Sequence, residues 1–262
     1  MPYITQEWLN LAVRWMHVFA GIMWIGQTYF FTWLDHRLSV EGQVWMVHSG
    51  GFYVVDKQKT PELRQQKLHW FMWEAALTWM SGFLLFWVVY YAGHIMVDDS
   101  IVTMSARSAA FLSIGLLVAA WLVYDLMMIS PLGRNLTAAA VVGYVILVAA
   151  IYGFTHLFSA RAAYMQIGAT LGTLMAANVW IRILPAQRQL IAATKEGRAP
   201  DMRLAEIAKI RSKQNTFMVV PVVFIMISNH FPVATYGNQY NWLILAALVL
   251  VGWGAAAIIR TR

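Results

Sequence analysis

The sequence predicts an all-α protein, a polytopic membrane bundle of about seven transmembrane helices with its N-terminus outside and its C-terminus in the cytoplasm. Three observations predict it. Of 262 residues, 60% are hydrophobic and only 12% charged, where a soluble domain carries about 25% charge. Mean hydropathy is +0.57. The apolar residues fall into long runs separated by short polar breaks, and the basic residues gather in alternate breaks.

Crossing a bilayer as a helix takes about 20 apolar residues, because the hydrocarbon core is about 30 Å thick and each residue rises 1.5 Å. The runs Trp8–Leu34, His69–Ala92, Arg107–Ile129, Leu136–Phe158, Ala162–Leu184, Thr216–Phe231 and Trp242–Ile259 meet or approach that length. Asp98-Asp99 separates the second from the third. Ser130-Pro131-Leu132-Gly133 ends the third, and Asn229-His230-Phe231-Pro232 ends the sixth. Gly168 and Gly172 form a small-xxx-small pair, a helix-packing signal. The 13 Trp and 11 Tyr suit the aromatic belts of a bilayer interface. The whole chain, 1–262, reads as one integral membrane domain.

Orientation follows from lysine and arginine, which concentrate on the cytoplasmic side. With the N-terminus outside, the inner segments hold Arg37, Lys57, Lys59, Arg64, Lys67 and Arg134, the run from Arg188 to Lys213, and Arg260 and Arg262. That is most of the 19 basic residues. The net charge of +7 is thereby a matter of topology, and a nucleic-acid partner is excluded. Two inner loops, 35–68 and 185–215, are long enough to hold short interfacial helices. In Ala205–Lys213 basic residues alternate with apolar ones, as in a helix lying on an anionic leaflet. In Ser49-Gly50-Gly51-Phe52-Tyr53 the paired glycines suit either a turn or a close backbone approach to a ligand.

The chain has no cysteine, which excludes disulfides, thiolate metal sites, iron–sulfur clusters and a covalently attached haem. Any metal or redox group must therefore rely on His, Met, carboxylate or amide side chains. Ionisable residues inside apolar spans are costly and mark function, and here they sort by depth. His17, His156 and His230 share the outer third of the bundle, and neutral imidazole is an axial ligand for haem iron. Two of the three are expected to hold a non-covalent haem b. Arg14, three residues before His17, would pair with a propionate, and Gly21, one turn after it, would leave room for the ring. The bland alternative is that these histidines are hydrogen-bonded structural residues.

The inner half carries Glu74, Asp125, Asn178 and Arg182, bordered by Gln214 and Asn215. Asn178 and Arg182 are four apart and share a helix face. A carboxylate, an amide and a planar guanidinium can read a small, flat, hydrogen-bonding anion, and Glu or Asp can take its proton. A closed Glu74–Arg182 or Asp125–Arg182 pair that only staples helices is the competing reading.

Several stretches together carry a family likeness. They are Arg14-Trp-Met-His17 with Trp24-Ile-Gly26, Leu68-His-Trp-Phe-Met-Trp-Glu74, Val123-Tyr-Asp125, Thr155-His156, Met175-Ala-Ala-Asn178 and Met226-Ile-Ser-Asn-His-Phe-Pro232. Through them the chain resembles the membrane domain of the bacterial cytochrome-c-linked urate oxidase (urate hydroxylase) family. The resemblance implies oxidation of urate to 5-hydroxyisourate in the bacterial inner membrane, with water supplying the oxygen. Electrons would pass through haem b to a cytochrome c, as a domain or a separate protein, on the outer side. On this reading Glu74, Asp125 and Arg182 are catalytic, and Asn178, Arg182, Gln214 and Asn215 bind urate or a related purine anion. Gln214 and Val54 stand where the family pattern has histidine. Two rivals fit the same residues: a non-catalytic haem b electron-transfer subunit, and a purine-anion transporter without haem. A homo-oligomer is compatible with all three.

Overall fold

The computed structural model describes residues 3–58 and 67–261. Apart from one hairpin it is all helical. Helix α1 runs Tyr3–Glu41, followed by β1 (Gln43–His48) and β2 (Gly51–Asp56). Helix α2 (Trp73–Phe86) continues into a π-helical turn, Trp87–Tyr91. Then come α3 (Ala106–Ile129), α4 (Leu136–Thr155), α5 (Ala160–Ala177), a second π-helical turn (Asn178–Ile183), α6 (Leu184–Lys195), α7 (Met202–Ser228) and α8 (Asn241–Arg260). Four helical stretches are long and apolar enough to cross a membrane: Ala106–Ile129, Leu136–Thr155, Ala160–Lys195 and Asn241–Arg260.

The sequence places caps where the helices start. Ser105, Asn135 and Ser159 each accept a backbone N–H from the first turn of α3, α4 and α5. Asp201 does the same for α7, and the Arg203 guanidinium beside it holds its carboxyl below the usual carboxylate range. Pro131–Arg134 forms a 3-10 turn between α3 and α4. Gly133 is required there, because a Cβ would stand 2.1 Å from the Met128 carbonyl oxygen.

Helix α5 is the axis of the bundle. Over its apolar window the rod Ala160–Lys195 is 56% buried, against 17% for α3 and α4, which turn most of their apolar surface outward. α5 packs on α3, α4 and α7, α7 packs on α8, and α1 pairs with α2 on the flank, where α2 reaches α5. Glycines set two of these approaches. A Cβ on Gly168 would lie 2.9 Å from Ile225 Cγ2 of α7, so Gly168 lets α5 and α7 close up, whereas Gly172 faces open space. Gly252 of α8 faces Pro221, the proline inside α7, where an added Cβ would stand 3.0 Å from the proline Cδ. Buried polar groups are paired across the helices. Gln166 and Ser113 exchange hydrogen bonds of 2.6 and 3.0 Å, and Tyr91 meets Ser113 at 2.7 Å, tying α5, α3 and the end of α2 together.

Two inner loops differ from expectation. In place of an interfacial helix, 43–56 forms an antiparallel hairpin with His48 opposite Gly51. Ser49 and Gly50 both have positive φ, 50° and 78°, the two-residue turn whose twist matches paired strands. Val44, Trp45, Val47, Phe52, Val54 and Val55 supply β-branched and aromatic residues on either side. The turn reading of the paired glycines is the one the structure adopts. The second loop contracts to 196–201, because α5 runs on through the π turn into α6 and α7 begins at Met202. Lys59, Arg64 and Arg262 lie outside the described residues.

Gly168→Val should overpack the α5–α7 contact and lower stability by about 1–3 kcal/mol. Gly172→Val, with nothing within 4 Å of its Cβ, should leave it unchanged. Thermal unfolding in detergent, followed by circular dichroism, separates the two; equal melting temperatures would contradict the packing.

Candidate functional site

Where α3, the π turn and α7 meet, the structure gathers most of the inner polar residues. Asp125 projects from the last turns of α3 and is 8% exposed. Arg182, from the π turn, donates Nε to Asp125 Oδ1 at 2.9 Å and Nη2 to Oδ2, a bidentate pair. Arg211 of α7 donates Nη2 to Asp125 Oδ1 at 2.6 Å and Nη1 to Asn178 Oδ1 at 3.3 Å. Its guanidinium also lies over the Tyr124 ring, 5.0 Å from the centroid. One carboxylate therefore serves two guanidiniums, and the cluster carries one positive charge in excess.

Amides frame it. Asn178, fully buried at the start of the π turn, donates Nδ2 to the Tyr124 hydroxyl and to Asn215 Oδ1, both at 2.9 Å. Asn215 donates to the Met175 carbonyl at 3.0 Å. Tyr124 donates to Gln214 Oε1 at 2.5 Å, and Gln214 Nε2 lies 3.1 Å from Met128 Sδ. Every group in this frame has its partner inside the cluster. Arg182 alone reaches outward: its side chain is 33% exposed against 4% for Arg211. The π turn matters locally, since the extra residue it admits rotates side chains out of α-helical register, a device frequent at functional sites.

Asp125, Asn178, Arg182, Gln214 and Asn215 thus come together as the sequence grouped them, but Glu74 does not join them. It sits in the first turn of α2, where Gln27 of α1 donates to its Oε1 at 3.0 Å. Its Oε2 is buried without a partner. The buried indole Nε1 of Trp180 also has none, and Trp180 meets Trp73 edge to face at 6.1 Å. Arg211 and Tyr124 were not singled out in the sequence. Arg211 belongs to the basic run that topology explained, and the structure instead buries it. Its signal was the spacing Arg211…Gln214-Asn215, three and four residues apart on one helix face.

The histidines stand apart from this cluster. His17 Nδ1 lies 3.0 Å from the Thr78 carbonyl and 3.2 Å from Ser81 Oγ, so α2 holds the ring. Gly82 makes the space, since a Cβ there would meet His17 Cε1 at 2.7 Å. Donation from Nδ1 to a carbonyl leaves Nε2 as the ring's lone pair, the arrangement of metal-binding imidazoles. A Cβ on Gly21 would meet Thr78 Cγ2 at 3.9 Å, and Arg14 donates to Asn10 at 3.0 Å. His156 caps α4, with Nδ1 2.7 Å from the Tyr152 carbonyl and its ring against Tyr152, and is exposed. His230 lies exposed just beyond α7. Among the described residues no group of three or more His, Cys, Asp or Glu side chains converges as a metal site. At the His156 end a cleft of about 580 Å³ is lined by His94, Asp98, Asp99, Ser159 and Arg161, none of them in the polar cluster.

The architecture is that of a helical protein with membrane-length apolar helices and a buried, net-cationic polar cluster at one end of α3. Comparison with known families agrees: the model for the urate oxidase N-terminal family matches residues 3–261. The chain belongs to the urate oxidase N-terminal family. No curated protein and no solved structure gives a significant match.

Removing the shared carboxylate should be severe. Asp125→Asn leaves two guanidiniums facing each other in a buried site, where breaking a buried pair costs about 3–5 kcal/mol. Arg182→Gln, which leaves Asp125 paired with Arg211, should cost markedly less. Melting temperatures of the two variants in detergent test this, and equal losses would show that Arg211 contributes little.

Proposed function

We propose that the protein oxidises urate at the bacterial inner membrane, giving 5-hydroxyisourate. The observation that carries the reading is the cluster in which Asp125 meets both Arg182 and Arg211. Family membership supports it. An excess buried positive charge favours a planar monoanion over a neutral ligand. The chain would cross the bilayer seven times, N-terminus outside, through α1, α2, α3, α4, the α5–α6 rod, α7 and α8. The long apolar run of α1 and the basic inner segments support this topology.

Urate would enter from the cytoplasmic side, where Arg182 is the guanidinium with free surface. Arg182 holds the anion; Asn178, Gln214 and Asn215, whose amides are committed within the cluster, fix the frame that holds the guanidiniums. The conversion of urate and water to 5-hydroxyisourate releases two electrons and two protons. Asp125 has both oxygens committed to arginines and is a poor acceptor, so it serves the site by positioning Arg182 and Arg211. Glu74 keeps one buried oxygen free and is the carboxylate that takes the proton. His17 fits a haem b, because its ring is oriented through Nδ1 with Nε2 left over. Such a haem would be held by two of His17, His156 and His230, with Arg14 and Gly21 near His17, and would supply one-electron acceptance for onward transfer to a cytochrome c.

The visible spectrum of the purified protein, oxidised, then anaerobic with urate, then with dithionite, tests the reading. A b-type Soret and α-band reduced by urate is expected. Reduction by dithionite alone points to an electron carrier for another donor. No haem band in protein from haem-replete cells favours a purine-anion transporter. His17→Ala should abolish the band. Glu74→Gln should keep the band and slow urate-dependent reduction by about 10²–10⁴-fold; an unchanged rate would remove Glu74 from the chemistry.

A further inference from the structure

Among the described residues, one face of the β1–β2 hairpin has no partner. Its register sets Trp45 opposite Val54 and Val47 opposite Phe52, all four on the same face. Their exposures are 69%, 46%, 69% and 81%. On the other face Val44 is 3% exposed and packs toward α1. A contiguous apolar face of this kind marks an interaction surface.

Position identifies what covers it. Asp35 is the first ionisable residue after the apolar run Trp8–Leu34 and marks where α1 leaves hydrocarbon. Lys57, just past β2, pairs with Asp35, which pins the base of the hairpin at that level. The chain then returns at Phe71 and Trp73, 55% and 60% exposed, with Phe71 against Phe31 of α1 at 5.0 Å. The hairpin is thus tied between two outward apolar surfaces, those of α1 and of the start of α2. Trp45 also suits an interface. Its indole Nε1 donates to Gln43 Oε1 at 3.1 Å, so the ring can leave water with its polar atom satisfied.

We propose that this face lies on the inner leaflet of the bilayer, with Trp45, Val47, Phe52 and Val54 in the interfacial layer. The proposal rests on α1 crossing the membrane. Among the described residues Lys57 pairs with Asp35 and Arg37 with Glu41, so the side chains that this face offers to the leaflet are chiefly apolar, with Asp56 at the strand end. The hairpin therefore acts as a membrane-dipping foot that fixes how the inner end of α1 sits at the surface.

The absence of cysteine makes the test direct. Single-cysteine variants Phe52→Cys, Phe19→Cys on the exposed side of α1, and Arg198→Cys in the 196–201 turn are labelled with bimane. The full chain is then reconstituted in phosphatidylcholine vesicles. The Phe52 label should emit to the blue of the Arg198 label, be quenched by lipids carrying a nitroxide near the headgroup, and resist aqueous iodide. A Phe52 label open to iodide overturns the proposal, while the Phe19 label still quenched by lipid keeps α1 in the membrane. A Phe52 label shielded from both quenchers places a protein surface there and also overturns it. A Phe19 label open to iodide removes the crossing of α1 and the proposal with it.

Discussion

Asp125 shares one carboxylate between two guanidiniums, and the end of the bundle where α3, the π turn and α7 meet is arranged around that shortage of negative charge. An arginine pair buried near a membrane-length helix is costly unless each planar fork finds acceptors. Arg182 takes both carboxylate oxygens, and Arg211 takes one of them plus the Asn178 carbonyl oxygen and the face of Tyr124. The three partners come from α3, the π turn and α7, so the electrostatics also decide which helices must meet. The π turn follows from the same constraint. It places Arg182 on Asp125, and Asn178 against Tyr124, Asn215 and Arg211, within a rod that must still pack α5 against α7.

Much of this cluster was legible because charge is so scarce in the sequence. An Asp, an Arg and an Asn inside apolar runs stand out, and the four-residue spacing of Asn178 and Arg182 already put them on one face. Arg211 was not legible for the opposite reason. It sits in a dense basic run, and the rule that reads such runs as cytoplasmic surface cannot tell which member turns inward. Glu74 exposes a different gap. Depth along a helix can be counted from sequence at 1.5 Å per residue, but azimuth around the bundle depends on which helices neighbour each other. Glu74 lies toward Gln27 of α1 instead of Arg182 for that reason.

The hairpin shows how local chemistry can override a regional expectation. A long inner loop in a membrane protein invites an interfacial helix, and the segment does hold apolar and polar residues in mixture. Ser49-Gly50 nevertheless supplies two consecutive left-handed positions between runs of valine and aromatic residues. Turn chemistry and β-branched flanks act within a few residues and outweigh the weaker helical preference.

Separation of Glu74 from Asp125 changes what each carboxylate can do. A carboxylate paired with two guanidiniums cannot also collect protons without releasing them, and releasing them would dismantle the frame that holds Asn178 and Tyr124. The two carboxylates thus stand in different surroundings, Asp125 ion-paired and Glu74 with one oxygen free, which is the division of roles that the proposed oxidation of an anion would use. Trp180 and Arg182 leave the π turn two residues apart, toward different neighbours: Trp180 meets Trp73 beside Glu74, and Arg182 meets Asp125. The same turn thus sends one side chain toward α2 and another into the ion-paired cluster.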